Sequence, residues 1–203
     1  MHIPKSDTAC LELISFREAL EAAQQPNEHY DTEKWLYCPN FYTEYRYILG
    51  TRGSNPLICI GINPSTAQPG DLDNTLKSVE RIAHGNGFDS FIMFNVYAQR
   101  ATDPDSMERS CNAALHRENM EAFRHILSLS PAPVVWAAWG TIIEKRDYLA
   151  DCLQDMLRIG EEFSARWVCA GKPSKKGHPH HPLYLRKDEQ VVPFDVSAYL
   201  QQL

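Results

Sequence analysis

The stretch Pro56-Leu57-Ile58-Cys59-Ile60-Gly61-Ile62-Asn63-Pro64-Ser65-Thr66 decides how this chain folds. Its first five residues carry no polar interruption, the pattern of a strand covered on both faces. Glycine, asparagine and proline then stop the strand and set a short, rigid polar loop at a carboxyl edge of a sheet. In open α/β proteins that edge is where ligands bind. A second apolar strand runs into a polar turn in Phe91-Ile92-Met93-Phe94-Asn95-Val96-Tyr97-Ala98-Gln99-Arg100. A third turn lies in Gly177-His178-Pro179-His180-His181-Pro182-Leu183-Tyr184. Three such turns on one sheet edge make a site.

Four strand candidates, residues 57–61, 90–96, 134–139 and 165–170, are spaced for helical crossovers. Between the first two, Asn74 or Thr75 caps a helix bearing Leu76, Val79 and Ala83, closed by Gly85-Asn86-Gly87. Residues 107–129 read as a long helix with Cys111, Leu115, Ala122 and Ile126 on one side, stopped by Pro131 and Pro133. Between the last two strands, Ile142, Leu149, Leu153 and Met156 repeat at helical spacing up to Gly160. This alternation predicts an α/β fold, a three-layer sandwich around a mainly parallel four-stranded core sheet.

Ahead of that core, residues 8–24 read as a helix with Leu13, Phe16 and Leu20 on one face and Ser6, Asp7 or Thr8 as its cap. The aromatic-rich residues 30–47 are expected to form a layer packed over the sheet, plus an edge strand at 45–49, and not a base-stacking surface. Val191-Val192 and residues 196–200 close the chain as a strand and a short helix. The whole reads as one domain, residues 1–203, with 1–44 as an N-terminal helical and aromatic extension and 45–185 as the core.

Composition fits a globular chain: 43% hydrophobic and 23% charged over 203 residues. The longest apolar run, near 134–139, is too short to span a bilayer, and the first residues lack an apolar export signal. A cytoplasmic protein with no membrane association is expected. Six scattered cysteines without a CxxC pair point to reduced thiols, with no disulfide, cofactor or metal. The net charge of −6 weakens any case for strong non-specific DNA affinity, although a local basic patch can still steer binding.

Each polar residue at the sheet edge has a structural and a functional reading. Asn63 either caps its own loop or holds water or a ligand edge through its amide. Ser65 and Thr66 read as helix caps, whose free N–H groups can bind phosphate. Asn95, at a strand end, must be satisfied either internally or by a base edge. Arg100 suits a phosphate or carboxylate, and equally a structural pair with Asp103 or Asp105. His178, His180 and His181 lack metal-ligand spacing. His181, fixed before Pro182, is the better donor to negative charge developing on a leaving group. Lys172, Lys175 and Lys176 form the one clear basic patch, either a phosphate contact or a plain solvated loop.

Taken together, Gly61-Ile62-Asn63-Pro64-Ser65-Thr66-Ala67, Asp73-Asn74-Thr75, the segment from Asn95 to Pro104, Trp139-Gly140 and the late His-Pro segment resemble domain-of-unknown-function family 1643, over roughly residues 45–185. At one remove the pattern is similar to the uracil-DNA glycosylase superfamily. Gly61-Ile62-Asn63-Pro64 matches a Gly-x-Asn-Pro motif whose asparagine positions the attacking water. The resemblance further implies that Asn95 reads the base edge and that His181-Pro182 contacts the base carbonyl. Arg100 and Pro104 echo an arginine and proline of the thermostable branch. Three features depart from that superfamily: no carboxylate stands at 63, Leu183-Tyr184 replaces a late serine, and the four-cysteine cluster is missing.

The function implied by this resemblance is that of a uracil-DNA-glycosylase-like hydrolase of N-glycosidic bonds acting on a nucleobase in DNA, with Asn63, His181 and Asp73 catalytic. Substrate contacts fall to Gly61, Pro64, Ser65, Asn95, Tyr97, Arg100 and Tyr184, and phosphate contacts to Thr66, Lys172, Lys175 and Lys176. The alternative keeps the same pocket as a non-catalytic binding module for a nucleotide, nucleobase or phosphorylated metabolite. The partner is accordingly DNA or a free nucleotide.

Overall fold

The strand at Pro56–Gly61 is buried along its whole length. The structure, a computed structural model describing residues 1–203, puts it in the middle of a seven-stranded sheet. In chain order the strands are β1 (Trp35–Cys38), β2 (Ile48–Thr51), β3 (Pro56–Gly61), β4 (Ser90–Asn95), β5 (Val134–Ala137), β6 (Arg166–Ala170) and β7 (Val191–Pro193), and their spatial order is β1-β2-β4-β3-β5-β6-β7. The helices are α1 (Phe16–Ala23), α2 (Asn74–Gly85), α3 (Ala113–Ser128), α4 (Tyr148–Glu162) and α5 (Val196–Leu200).

This overturns the expected mainly parallel sheet of four strands. The sheet is mixed: β4–β3, β3–β5 and β5–β6 pair in parallel, while β1–β2, β2–β4 and β6–β7 pair antiparallel. The extra strands are three or four residues long, too short to show a period of two in sequence. Trp35-Leu36-Tyr37-Cys38, read as part of an aromatic layer, is β1 itself, and the expected edge strand at 45–49 is shifted to Ile48–Thr51. Residues before 45 therefore supply one strand of the common sheet and α1, which packs on it.

Alternation along the strands divides the core in two. Ile58, Ile60, Ile92, Phe94, Val135 and Ala137 face α1, α3, α4 and α5. Leu57, Cys59, Phe91, Met93, Val134 and Trp136 face α2 on the opposite side. Each fully buried Val, Leu, Ile, Phe or Met side chain among them contributes about 1.5–3 kcal/mol relative to exposure. No helix is long and apolar enough to cross a membrane.

Helix starts follow the side chains that best satisfy free N–H groups, and they correct three expectations. The helix expected over 8–24 begins only at Phe16, because Ser15 and Glu18 close a capping box. Asp73, not Asn74 or Thr75, caps α2 by accepting from the N–H of Leu76 at 2.9 Å. The long helix expected from 107 starts at Ala113, where Asn112 accepts from Ala114 and Leu115.

Candidate functional site

Because β4, β3, β5 and β6 run in parallel, their carboxyl ends share one edge. The chain leaves β3 toward α2 on one face but leaves β4 and β5 toward α3 and α4 on the other. Diverging connections of this kind open a crevice beside the central strand. A cavity of about 760 Å³ lies there, a size typical of small-molecule sites. All four loops line it: Asn63, Ser65, Thr66 and Asp73 after β3, Thr102 after β4, Gly140 and Thr141 after β5, and Ser174, His178, His180 and His181 after β6.

Asn63 is held by its nitrogen. Nδ2 donates to the Ala101 carbonyl at 2.6 Å and to the Pro64 carbonyl at 3.2 Å, which leaves Oδ1 as a free acceptor. Asp73 spends Oδ1 on its cap, and Oδ2 makes no hydrogen bond within the chain. In half-buried His181, Nδ1 accepts from the Leu183 N–H at 3.4 Å, so the proton of the neutral ring sits on Nε2. Burial holds the His181 pKa below the ordinary histidine value, with the Asp73 charge pulling the other way. The cavity thus presents one amide oxygen, one carboxylate and one imidazole N–H. At Gly61, the last residue of β3, a Cβ would meet the movable Cε of Met93 at 2.6 Å and the Asn95 side-chain amide at 3.2 Å, both on neighbouring β4.

Of the other residues singled out in the sequence, Asn95, Tyr97, Arg100 and the three lysines lie behind or outside this wall, while Ser65, Thr66 and Tyr184 line it. Asn95 is 1% exposed, and its amide serves the carbonyls of Phe94 and Asn63 when its nitrogen faces them. Tyr97 is fully buried, bonded through its hydroxyl to Glu108 and to the N–H of Asn112. Arg100, also fully buried, donates to the Ser65 carbonyl and to the Tyr37 hydroxyl at 3.0 Å, with the Tyr42 ring 4.3 Å from its guanidinium. It pairs with neither Asp103 nor Asp105; Lys145 takes Asp105 instead. Ser65 and Thr66 face the cavity but start no helix, since α2 begins at Asn74. Ser65 Oγ lies 3.0 Å from Thr102 Oγ1. Lys172, Lys175 and Lys176 are exposed and do not line the cavity, and Lys176 reaches Glu144 at 3.4 Å. Tyr184 stands at the rim, 81% exposed, with its ring 6.0 Å from that of His181.

Residues 46–183 match the family described as protein of unknown function DUF1643. The chain belongs to the DUF1643 family. No curated protein and no solved structure matches it. The glycosylase resemblance therefore rests on the motif residues alone. Within the DUF1643 segment lie all the polar cavity residues named above except Tyr184.

Among the cavity residues given no site role by the sequence, Arg46 and His178 are the two with unusual surroundings. Arg46 lines the cavity although it is only 1% exposed. Its signal was a lone charge between Tyr45 and Tyr47, both buried. His178 closes a buried cluster: Trp139 Nε1 donates to the Tyr199 hydroxyl at 3.1 Å, and that hydroxyl is hydrogen-bonded to His178 Nδ1 at 2.9 Å. His178 Nε2 lies 3.3 Å from Glu144 Oε1 but is poorly aligned for a hydrogen bond. Burial raises the Tyr199 pKa to about 12, which keeps its hydroxyl protonated. No group of three or more His, Cys, Asp or Glu side chains is arranged to hold a metal ion.

Proposed function

We propose that the cavity hydrolyses the N-glycosidic bond of a nucleobase in DNA or a nucleotide. One observation carries the reading: Asn63, Asp73 and His181 line a single cavity, and each keeps one polar atom free of internal partners. Water held by Asn63 Oδ1 adds its oxygen to the sugar C1′ as the C1′–N bond breaks, and the bonding pair stays on the base nitrogen. The Asp73 carboxylate stabilises positive character on the sugar, takes the proton of the water and returns it to solvent. His181 Nε2–H stabilises the departing base anion, which then takes one proton from solvent. The sum is free base and a sugar hydroxyl. Neutral His181 is suited to this, because burial favours the uncharged ring. Rim-exposed Tyr184 is placed to stack on an extruded base.

The test is base release at low salt from uracil- and mismatch-containing single- and double-stranded DNA and from free nucleotides. Asn63→Ala and His181→Ala, both folded, should each lower the rate by about 100-fold. No release above a heat-killed control on every substrate removes the hydrolase reading.

A further inference from the structure

We propose that Arg46 is an anion-binding residue of this cavity and that the natural ligand is a small nucleotide carrying a terminal phosphate. The inference rests on the nucleobase reading only for the base. The phosphate part stands on the arginine itself.

Arg46 and Arg100 are 1% and 0% exposed, and neither has a carboxylate within ion-pairing distance. Two buried guanidinium groups without a counter-ion are costly unless something else answers their charge. Arg100 is largely answered, by the Ser65 carbonyl, the Tyr37 hydroxyl and the face of Tyr42. Arg46 is not. It donates once, from Nη1 to the Ala67 carbonyl at 3.2 Å, its Nε has no partner, and it lines the cavity. Burial, and then the neighbouring Arg100, lower its pKa to about 9 against the opposing pull of Tyr37 and of the Asp73 carboxylate, which acts from beyond ion-pairing distance, so it stays charged at neutral pH. A planar fork with unused donors, facing a polar cavity, is matched by a phosphoryl oxyanion.

The depth of Arg46 selects among phosphates. A backbone phosphodiester carries chain on both sides, and a strand would have to thread the cavity to bring one to a nearly inaccessible arginine. A terminal phosphomonoester can enter end-on. The exposed lysines that would track a strand lie outside the cavity lining.

The experiment is calorimetric titration with uridine 5′-monophosphate, uridine, inorganic phosphate and a uracil-containing single-stranded oligonucleotide at fixed ionic strength. The wild type should bind the monophosphate at least about 10-fold more tightly than uridine, the equivalent of one charge-assisted contact. Arg46→Met should erase that preference, and Tyr184→Ala should weaken nucleotide and nucleoside alike. Should Arg46→Met fail to fold, Arg46→Lys keeps the charge, loses the fork, and should lose most of the preference. Equal wild-type affinity for nucleotide and nucleoside overturns the proposal, as does a preference that survives both variants, or Arg46-dependent binding tighter for the oligonucleotide than for the monophosphate. Failure of wild-type protein to bind either inorganic phosphate or the monophosphate also overturns it. Arg46-dependent binding of phosphate without any preference for a base would keep the anion subsite and remove the nucleotide. Nucleotide binding without base release would remove only the hydrolase reading.

Discussion

The amide nitrogen of Asn63 donates to the backbone carbonyl of Ala101 at 2.6 Å, tying the loop after β3 to the loop after β4. The bond does two things: it closes the cavity wall and it points Oδ1 outward. Asn63→Asp should therefore lower stability more than Asn63→Ala, because a carboxylate oxygen would face a carbonyl oxygen. Losing the donor from a partly buried site costs about 1–3 kcal/mol. Denaturant unfolding of the two variants checks the order, and an aspartate variant as stable as wild type would show that the bond does not hold the loops together.

Burial keeps the imidazoles of His125 and His181 below the ordinary histidine pKa. Near pH 6 the folded state thus binds fewer protons than the unfolded state, so stability rises with pH there. The contribution is intact above the unfolded value of about 6.5 and is lost as pH falls from there toward the folded values. Denaturant midpoints from pH 7.5 to 5.5 should fall for wild type and fall less for His125→Gln and His181→Gln. Slopes identical to wild type in both variants would mean that neither ring is held neutral.

The central strands and the cavity loops could be read from sequence because each strand is a continuous apolar run ending in a polar turn. Pro56–Gly61 and Ser90–Asn95 are buried at every position, which is what an uninterrupted run implies. Of the short outer strands, Val191-Val192 reads as a strand in sequence and is one. Trp35–Cys38 does not, because a short run with two aromatics describes packing over a sheet as well as pairing within it. At the site, Asn63 stands out as a polar residue just past a strand end, His181 as a ring fixed before Pro182 in the third polar turn, and Asp73 only through the motif resemblance. Asn95, Tyr97 and Arg100 share the sequence signature of Asn63, yet face inward and bind backbone or Glu108. Spacing locates a residue on the edge of a sheet but not on the near or far side of a loop. Arg46 was hidden by its neighbours, since buried aromatics on both sides describe packing and not a ligand.

Arg100 is a clamp. Its guanidinium holds the Ser65 carbonyl and the Tyr37 hydroxyl, joining the cavity loop to β1 across the sheet edge. Arg100→Met should cost about 1.5–3 kcal/mol, the range for buried hydrogen bonds to a charged group. Ligand affinity should fall with it, because the loop bearing Asn63 loses its support. Arg100→Lys should recover little, since one ammonium cannot span both acceptors. Thermal unfolding and nucleotide titration check both effects, and a stable, fully binding Arg100→Met would make the clamp dispensable.

Tyr184 gives the opposite pattern. It is 81% exposed on a short turn after His181, and its ring touches no core cluster. Truncating it removes almost no buried area, so Tyr184→Ala should leave the unfolding midpoint within about 0.5 kcal/mol of wild type. An exposed aromatic at a cavity rim offers a face on which a planar ligand can stack. Base–aromatic stacking contributes about 1–3 kcal/mol. Affinity for a base-bearing ligand should therefore fall about 10-fold in Tyr184→Ala, while Tyr184→Phe and Tyr184→Trp retain it, because stacking needs the ring and not the hydroxyl. Loss of binding in Tyr184→Phe as well would assign the contact to the hydroxyl. Unchanged affinity in Tyr184→Ala would place the ligand deeper in the cavity, beyond reach of the rim.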